Sequence, residues 1–218
     1  MQKFSFTTYE VLTKPKINFQ AGSFVCWQSR SLSKHSCYQK GMVTNMRLEN
    51  SFFLQDAETC APRLLGKIIC IKKDDNIVKY RITETECYKG KDDSACHASK
   101  GKTERNSPMW LCGGHAYVYL CYGMYNMFNI ITGKEDDPQG VLIRGVEGLD
   151  GPGKFTKNAG IDRSFNKEDM RTSDKLWIES DGTSAEYTAL PRVGIDYASE
   201  EDIKRPWRYK AVKFVKTD

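Results

Sequence analysis

No run of about 18 consecutive apolar residues occurs in this 218-residue chain, which excludes a transmembrane helix. The phosphate-cradling G-x-x-x-x-G-K-[ST] loop is missing, and so is G-x-G-x-x-G, so no nucleotide cofactor is expected. Paired Cys-x-x-Cys blocks are absent too. Cys96-His97 and Cys112-Gly113-Gly114-His115, with Cys87 and Cys121, offer soft ligands, but their spacings fit no structural zinc pattern. The zinc deaminase signature is likewise missing, and no bound metal is expected. The eight cysteines lack the rhythm of a disulfide-stapled secreted domain, and the chain is too long to need such staples. They read as reduced thiols of an intracellular protein. There are no internal repeats.

Acidic residues are scarce at one end only. Residues 1–45 carry six Lys or Arg against Glu10 alone, which accounts for the whole net charge of +5. The remaining 27 basic and 27 acidic residues cancel. Bulk charge therefore does not argue for nucleic acid, and any such binding must use a local basic patch. The polar stretch His97–Asn106 is a candidate to track phosphates, with an ordinary solvated loop as the bland alternative. Residues 1–45 are rich in Ser, Gln and Lys and show no sustained periodicity. They fit an organellar targeting segment, a disordered arm, or sequence translated upstream of a start at Met46. Residues 46–218 are long enough for one core and one domain.

What is present is unusual from Arg81 to Asn129. Arg81-Ile82-Thr83-Glu84-Thr85-Glu86-Cys87-Tyr88 has the β-branched residues and period of two of a strand. Alternation predicts Ile82, Glu84, Glu86 and Tyr88 on one face, with the two carboxylates roughly 6.5 Å apart. Two carboxylates make a poor core face, because buried charge costs several kcal/mol unless paired. A salt-bridged surface strand is the plain alternative, and pattern alone does not choose between the two glutamates. Ala116–Ile131 reads as a hairpin turning at Gly123, with the aromatic Tyr122 at its tip. A large apolar side chain at a hairpin tip is a liability unless something needs it there.

The remaining elements follow from pattern. Met46–Gly66 predicts a helical lead-in interrupted near Pro62. Lys67–Ile71 and Val78–Tyr88 predict paired strands across Lys73-Asp74-Asp75-Asn76. A strand follows at Gly140–Val146, then a short helix containing Thr156–Asn158 after a Gly-rich turn. Further strands are expected near Leu176–Glu179 and Arg208–Val215. The fold class is α+β: a single mixed domain with a curved, mainly antiparallel sheet, flanking helices and a protruding hairpin.

These segments carry a family resemblance. Glu84-Thr85-Glu86-Cys87-Tyr88 with Asp92-Asp93 and Ala95-Cys96-His97 resembles the segment holding the catalytic glutamate of methylpurine (alkyladenine) DNA glycosylases. Tyr117-Val118-Tyr119 through Tyr122-Gly123-Met124-Tyr125 to Asn129 resembles that family's DNA-intercalating hairpin. Val141–Glu147, Gly151-Pro152-Gly153-Lys154 and Pro191-Arg192-Val193-Gly194-Ile195 are similar to further blocks in the same order. The likeness spans roughly residues 46–207, and ordered blocks are far more specific than one motif.

The resemblance implies a monofunctional glycosylase of base-excision repair, acting as a monomer on double-stranded DNA that contains damaged purines. It would work inside the cell with the DNA, in a bacterial cytoplasm or nucleoid, a nucleus or an organelle. Glu86 would be the catalytic carboxylate and Glu84 its structural neighbour. Arg144 would sit near the attacking water and keep the glutamate ionised, and the Val193 carbonyl would make a further contact with that water. Tyr88 and Tyr119 would sandwich the flipped base, His97 would bond its edge, and Asn129 would guard the pocket floor. Electron-rich tyrosine faces suit purines that carry positive charge. Tyr122 would wedge into the duplex, with Met124 and Tyr125 beside it. Lys102, Arg105, Met109 and Lys154 would lie near the DNA. Without the resemblance, a lone histidine is more often structural, a strand tyrosine more often core, and an arginine ending a strand more often a surface residue.

The chain departs from the family pattern in three places. The passage from Val146 to Gly151 is shorter than usual, Arg208–Asp218 is only loosely similar, and residues 1–45 have no counterpart. Two other readings use the same residues. One is a non-catalytic nucleic-acid-binding module with a tyrosine stacking platform. The other is a hydrolase of some other glycoside.

Overall fold

The computed structural model describes residues 46–216, and the expected extension over residues 1–45 lies outside the described residues. The short strand β1 (Met46–Arg47) is followed by α1 (Asn50–Phe53) and α2 (Ala57–Arg63). The break in the helical lead-in falls at Leu54–Asp56, not near Pro62, which sits inside the last turn of α2. A proline there removes one helical hydrogen bond just where the helix is about to end, so it terminates rather than interrupts. At the other end of α2, the free N–H of Ala57 is taken by Gln139 Oε1 at 2.7 Å.

Strands β2 (Ile68–Lys73) and β3 (Asn76–Lys89) form a hairpin closed by Asp74-Asp75, with Asp74 at φ 52°. Asp tolerates that left-handed region better than most residues. Then come β4 (Ala116–Cys121), β5 (Tyr125–Ile131), β6 (Gln139–Val146), β7 (Leu149–Asp150), α3 (Pro152–Ala159), β8 (Leu176–Ser180), β9 (Thr183–Leu190), α4 (Glu200–Lys204) and β10 (Arg208–Lys216). The strand order is β1-β8-β2-β3-β6-β5-β4, and β10 joins β3 while carrying β9 on its far side. Every pairing is antiparallel. Among the described residues the result is an open, curved antiparallel sheet with four α-helices, an α+β architecture. None of the described helices is long and apolar enough to cross a membrane.

The fourteen-residue β3 organises the sheet. Its first half pairs with β2, while its second half lies between β6 and β10. The alternation expected from Ile82 to Tyr88 does not hold throughout. The β3–β6 register shifts on both sides of Glu84, so Ile82 faces Val146 while Thr85 faces Ile143. Ile82 thus joins the main core with Cys87, Val141, Ile143 and Val146, and Glu84 and Glu86 are left to the other side. The irregularity reconciles a packed core with two buried carboxylates two residues apart. Gly145 stands opposite Glu84. A Cβ there would lie 3.1 Å from Thr83 Oγ1 and 3.3 Å from Glu84 Cβ, so its lack of a side chain permits the close approach.

The main core packs α1, α2 and α3 against the sheet through Phe53, Leu64, Leu65, Ile69, Phe128, Ile130 and Phe155. A second, smaller cluster of Cys96, Ala98, Met109, Trp110, Tyr117 and Ile131 supports Tyr88 and Tyr119. The hairpin β4–β5 separates the two, sending Val118 and Ile130 to the first and Tyr117 and Ile131 to the second. Helix α3 follows the Gly-rich turn as expected, with Pro152 in its first turn and Gly160 ending it at φ 69°. The passage after β6 is a tight turn at Glu147-Gly148, closed by pairing of Val146 with Leu149.

Candidate active site

A cavity of about 1040 Å³ opens where the end of β3, the hairpin, the 94–100 loop and the segment 193–197 converge. Tyr88, His97, Tyr119, Asn129, Arg144 and Val193 all line it, as do Arg105, Met109 and Tyr122 from the residues expected to meet DNA.

Glu86 is fully buried. Its Oε2 accepts from the Tyr88 hydroxyl at 2.9 Å, and its Oε1 accepts from the Val193 backbone N–H at 3.0 Å. Arg144 Nε stands 3.6 Å from the same Oε1 and 3.4 Å from Glu84 Oε1. Glu84 is further held by Arg208 of β10 at 2.8 Å. Each carboxylate is therefore paired, as buried charge requires. Burial raises the Glu86 pKa above the ordinary carboxylate value, while Arg144, the Val193 N–H and the Tyr88 hydroxyl oppose that rise. The contact made by Val193 runs through its N–H to the carboxylate, a link that the sequence did not suggest.

The aromatic walls come from two elements. Tyr88 is part of β3 and Tyr119 of β4, and both rest on the second apolar cluster. Burial holds both hydroxyls well above the usual tyrosine range. The His97 ring lies 4.6 Å from that of Tyr119, centroid to centroid, and its Nδ1 is 2.9 Å from the Tyr117 hydroxyl. Burial, helped by Arg105, lowers the His97 pKa, so the imidazole is neutral near pH 7. Asn129 donates to the carbonyls of Tyr117 and Met127 at 3.1 and 3.4 Å. These bonds fix its amide at the cavity wall.

Tyr122 stands at the hairpin tip, 86% exposed, with φ 50°. A bulky residue in the left-handed region is strained by about 1–2 kcal/mol. Met124 is exposed beside it, and Tyr125 is half-exposed. The Tyr125 ring presses on Gly153 at the start of α3, where a Cβ would come within 2.6 Å of Tyr125 Cδ1. Arg105 donates to the Leu120 carbonyl at 3.3 Å and lies over the Tyr119 ring at 5.7 Å. Lys102 sits over Trp110, and Lys154 is exposed on α3. Met109 differs from the other residues expected near DNA. It is only 4% exposed and lines the cavity, so it can meet a base held there but not the outside of a duplex.

Several residues at the site escaped sequence reasoning. Arg192 is buried and forms a forked ion pair with Asp93 at 2.6 and 2.8 Å. Its guanidinium lies 4.8 Å from the Tyr88 ring and 5.1 Å from the Trp207 ring. Tyr197 lines the cavity and donates to the Ala95 carbonyl at 3.0 Å. Both Asp93 and Arg192 lie inside the conspicuous sequence blocks, but nothing in the pattern signalled that they meet. Among the described residues, no group of three or more His, Cys, Asp and Glu side chains stands close enough to share a metal ion.

The sequence profile of the family described as Methylpurine-DNA glycosylase matches residues 51–213. A Borreliella afzelii protein with the printed name "Putative 3-methyladenine DNA glycosylase" is 42% identical over 176 residues, covering 74% of this chain and 94% of its own length. A Borreliella burgdorferi protein of the same name is 42% identical over 184 residues, covering 77% and 98%. A third, from Methanocella arvoryzae, is 40% identical over 182 residues, covering 74% and 90%.

Proposed function

The chain belongs to the methylpurine-DNA glycosylase family, and from that premise we propose that it flips alkylated or deaminated purines out of duplex DNA and hydrolyses the N-glycosidic bond, leaving an abasic site. Family and relatives make it an N-glycosyl hydrolase of base-excision repair that acts on DNA in the cell. The names of its relatives make 3-methyladenine the first substrate to test. The observation that carries the proposal is Glu86: a fully buried carboxylate, oriented by hydrogen-bond donors, beside a cavity walled by Tyr88 and Tyr119.

Cleavage of the bond passes through an oxocarbenium-like state. Ionised Glu86 takes a proton from water as the water attacks the sugar, and its charge stabilises the cation that develops. Arg144 favours the ionised form of Glu86 and reaches the same carboxylate edge. A base cannot reach this cavity inside a duplex, so it must rotate out of the stack, a step that costs a few kcal/mol. Tyr122 offsets that penalty by filling the gap, a role that its exposure at the hairpin tip supports. Tyr88 and Tyr119 then hold the base by stacking, with His97 at its edge.

A panel of duplexes carrying 3-methyladenine, 7-methylguanine, hypoxanthine or ethenoadenine at one site tests the proposal. The expected result is release of free base from at least one of them, with an abasic site left behind. Binding to lesion duplexes without release of any base, or inertness towards all four, would contradict it.

A further inference from the structure

Arg192 does not itself line the cavity, yet it joins three segments that do. Its guanidinium holds Asp93 with two bonds and donates to the Cys87 carbonyl at 2.9 Å. Cys87 stands between Glu86 and Tyr88 in β3. Asp93 in turn accepts from the N–H of Lys89 at 3.2 Å and of Ala95 at 3.1 Å, so it fixes the start of the loop that carries His97. The next residue after Arg192 is Val193, whose N–H meets Glu86. The guanidinium also covers a face of the Tyr88 ring, and Trp207 lies against the guanidinium as well. Arg192 is buried and Tyr88 lines the cavity, so the covered face is the one turned away from it.

A forked arginine fixes direction as well as distance, which a point charge does not. Both side chains of the ion pair are fully buried. Apolar or neutral residues commonly replace such a pair without loss of stability. Stability alone therefore does not account for the arrangement. We propose that the Arg192–Asp93 pair is a positioning device for the reaction, locking the Val193 N–H, the Tyr88 wall and the His97 loop in register around Glu86. Neither residue touches the substrate; both act through groups that do. The inference rests on the proposed glycosylase reading.

The test separates positioning from mere support. Arg192→Met and Asp93→Asn, made singly, each leave a buried partner unpaired and are expected to lower thermal stability. The double variant Asp93→Asn/Arg192→Met removes both charges, and its melting temperature is expected to recover towards the wild type. Single-turnover base release at saturating enzyme should nevertheless stay at least tenfold slow, with affinity for the lesion duplex changed less than threefold. Arg192→Lys keeps the charge but not the fork, and it should also be slow.

The double variant should further move the acidic limb of the rate–pH profile upward. Glu86 is faced by Arg144 from β6, by Tyr88 and Glu84 of its own strand, by Tyr119 from β4, by Arg192, and through Glu84 by Arg208 from β10. Of these, the variant removes the Arg192 charge and loosens the Val193 N–H, and both favour ionised Glu86. A stably folded double variant that releases base at the wild-type rate with an unmoved acidic limb overturns the inference while leaving the glycosylase reading intact. An inert wild-type protein overturns both.

Discussion

At Glu86, burial and hydrogen bonding pull in opposite directions. Burial is the larger influence and raises the pKa, while Arg144 is first among the groups that lower it. The proposed reaction needs the ionised form, so activity should be lost as pH falls through the raised pKa. The acidic limb of the single-turnover rate should therefore lie above the ordinary carboxylate value of about 4.3. Arg144→Gln removes the largest opposing influence and should push that limb higher. A limb at the ordinary value, unmoved by the substitution, would contradict this picture. Tyr122 offers a separate test, because its left-handed backbone and its exposure both argue that the fold does not need the ring. Asn is at home in that region, so Tyr122→Asn should leave thermal stability unchanged or raise it by up to about 1 kcal/mol. Lesion recognition should weaken all the same. A large drop in melting temperature would show that Tyr122 is a packing residue. At Asn129, the amide is fixed at the cavity wall by two backbone carbonyls. If it excludes guanine by clashing with the exocyclic amine, Asn129→Ser should raise guanine release relative to hypoxanthine. Single-turnover rates from matched duplexes measure this, and an unchanged ratio in a folded variant would remove the role.

Among the elements, the hairpin and the strand that carries Glu86 were legible in the sequence because β-branched and aromatic residues are frequent in them and their turns carry Gly or Asp. The register shift around Glu84 was not, since it depends on how β3 meets β6 and Gly145, partners some sixty residues away. Ile82 was therefore assigned to the wrong face. Strand β9 escaped because Ala185, Tyr187 and Ala189 alternate with Glu186 and Thr188 but two alanines make a weak strand signal. Helix α4 is only five residues long, but Ser199 with Asp202 was a readable start signal: the Ser199 side chain accepts from the Asp202 N–H. The ion pair of Arg192 with Asp93 spans 99 positions and needed the fold to appear. The packing of Tyr125 on Gly153 was equally hidden, and it ties the hairpin to α3. Gly153→Ala forces that ring away, and overpacking of this kind typically costs ~1–3 kcal/mol. The melting temperature should fall, and affinity for lesion duplex should fall with it as the hairpin shifts. Unchanged values for both would show that the contact is slack.

On the scale of the whole molecule, the body from residue 46 onward is formally neutral, so affinity for DNA must come from where its charges sit. Arg105 is exposed beside the hairpin and Lys154 is exposed on α3, and we propose that they make such contacts. The sheet supplies rigidity and brings Glu86 from β3, Arg144 from β6 and Val193 from a loop to a single carboxylate. In the proposed reaction this carboxylate performs the chemistry while the surrounding cavity performs the recognition. This division is tested most directly by measuring base release and duplex binding together for the wild type and Glu86→Gln, on a duplex carrying one lesion that the wild type excises. Release should fall by at least ~100-fold, in keeping with loss of a general base, while affinity for the lesion duplex is retained. Near-native release by a folded Glu86→Gln protein would contradict it.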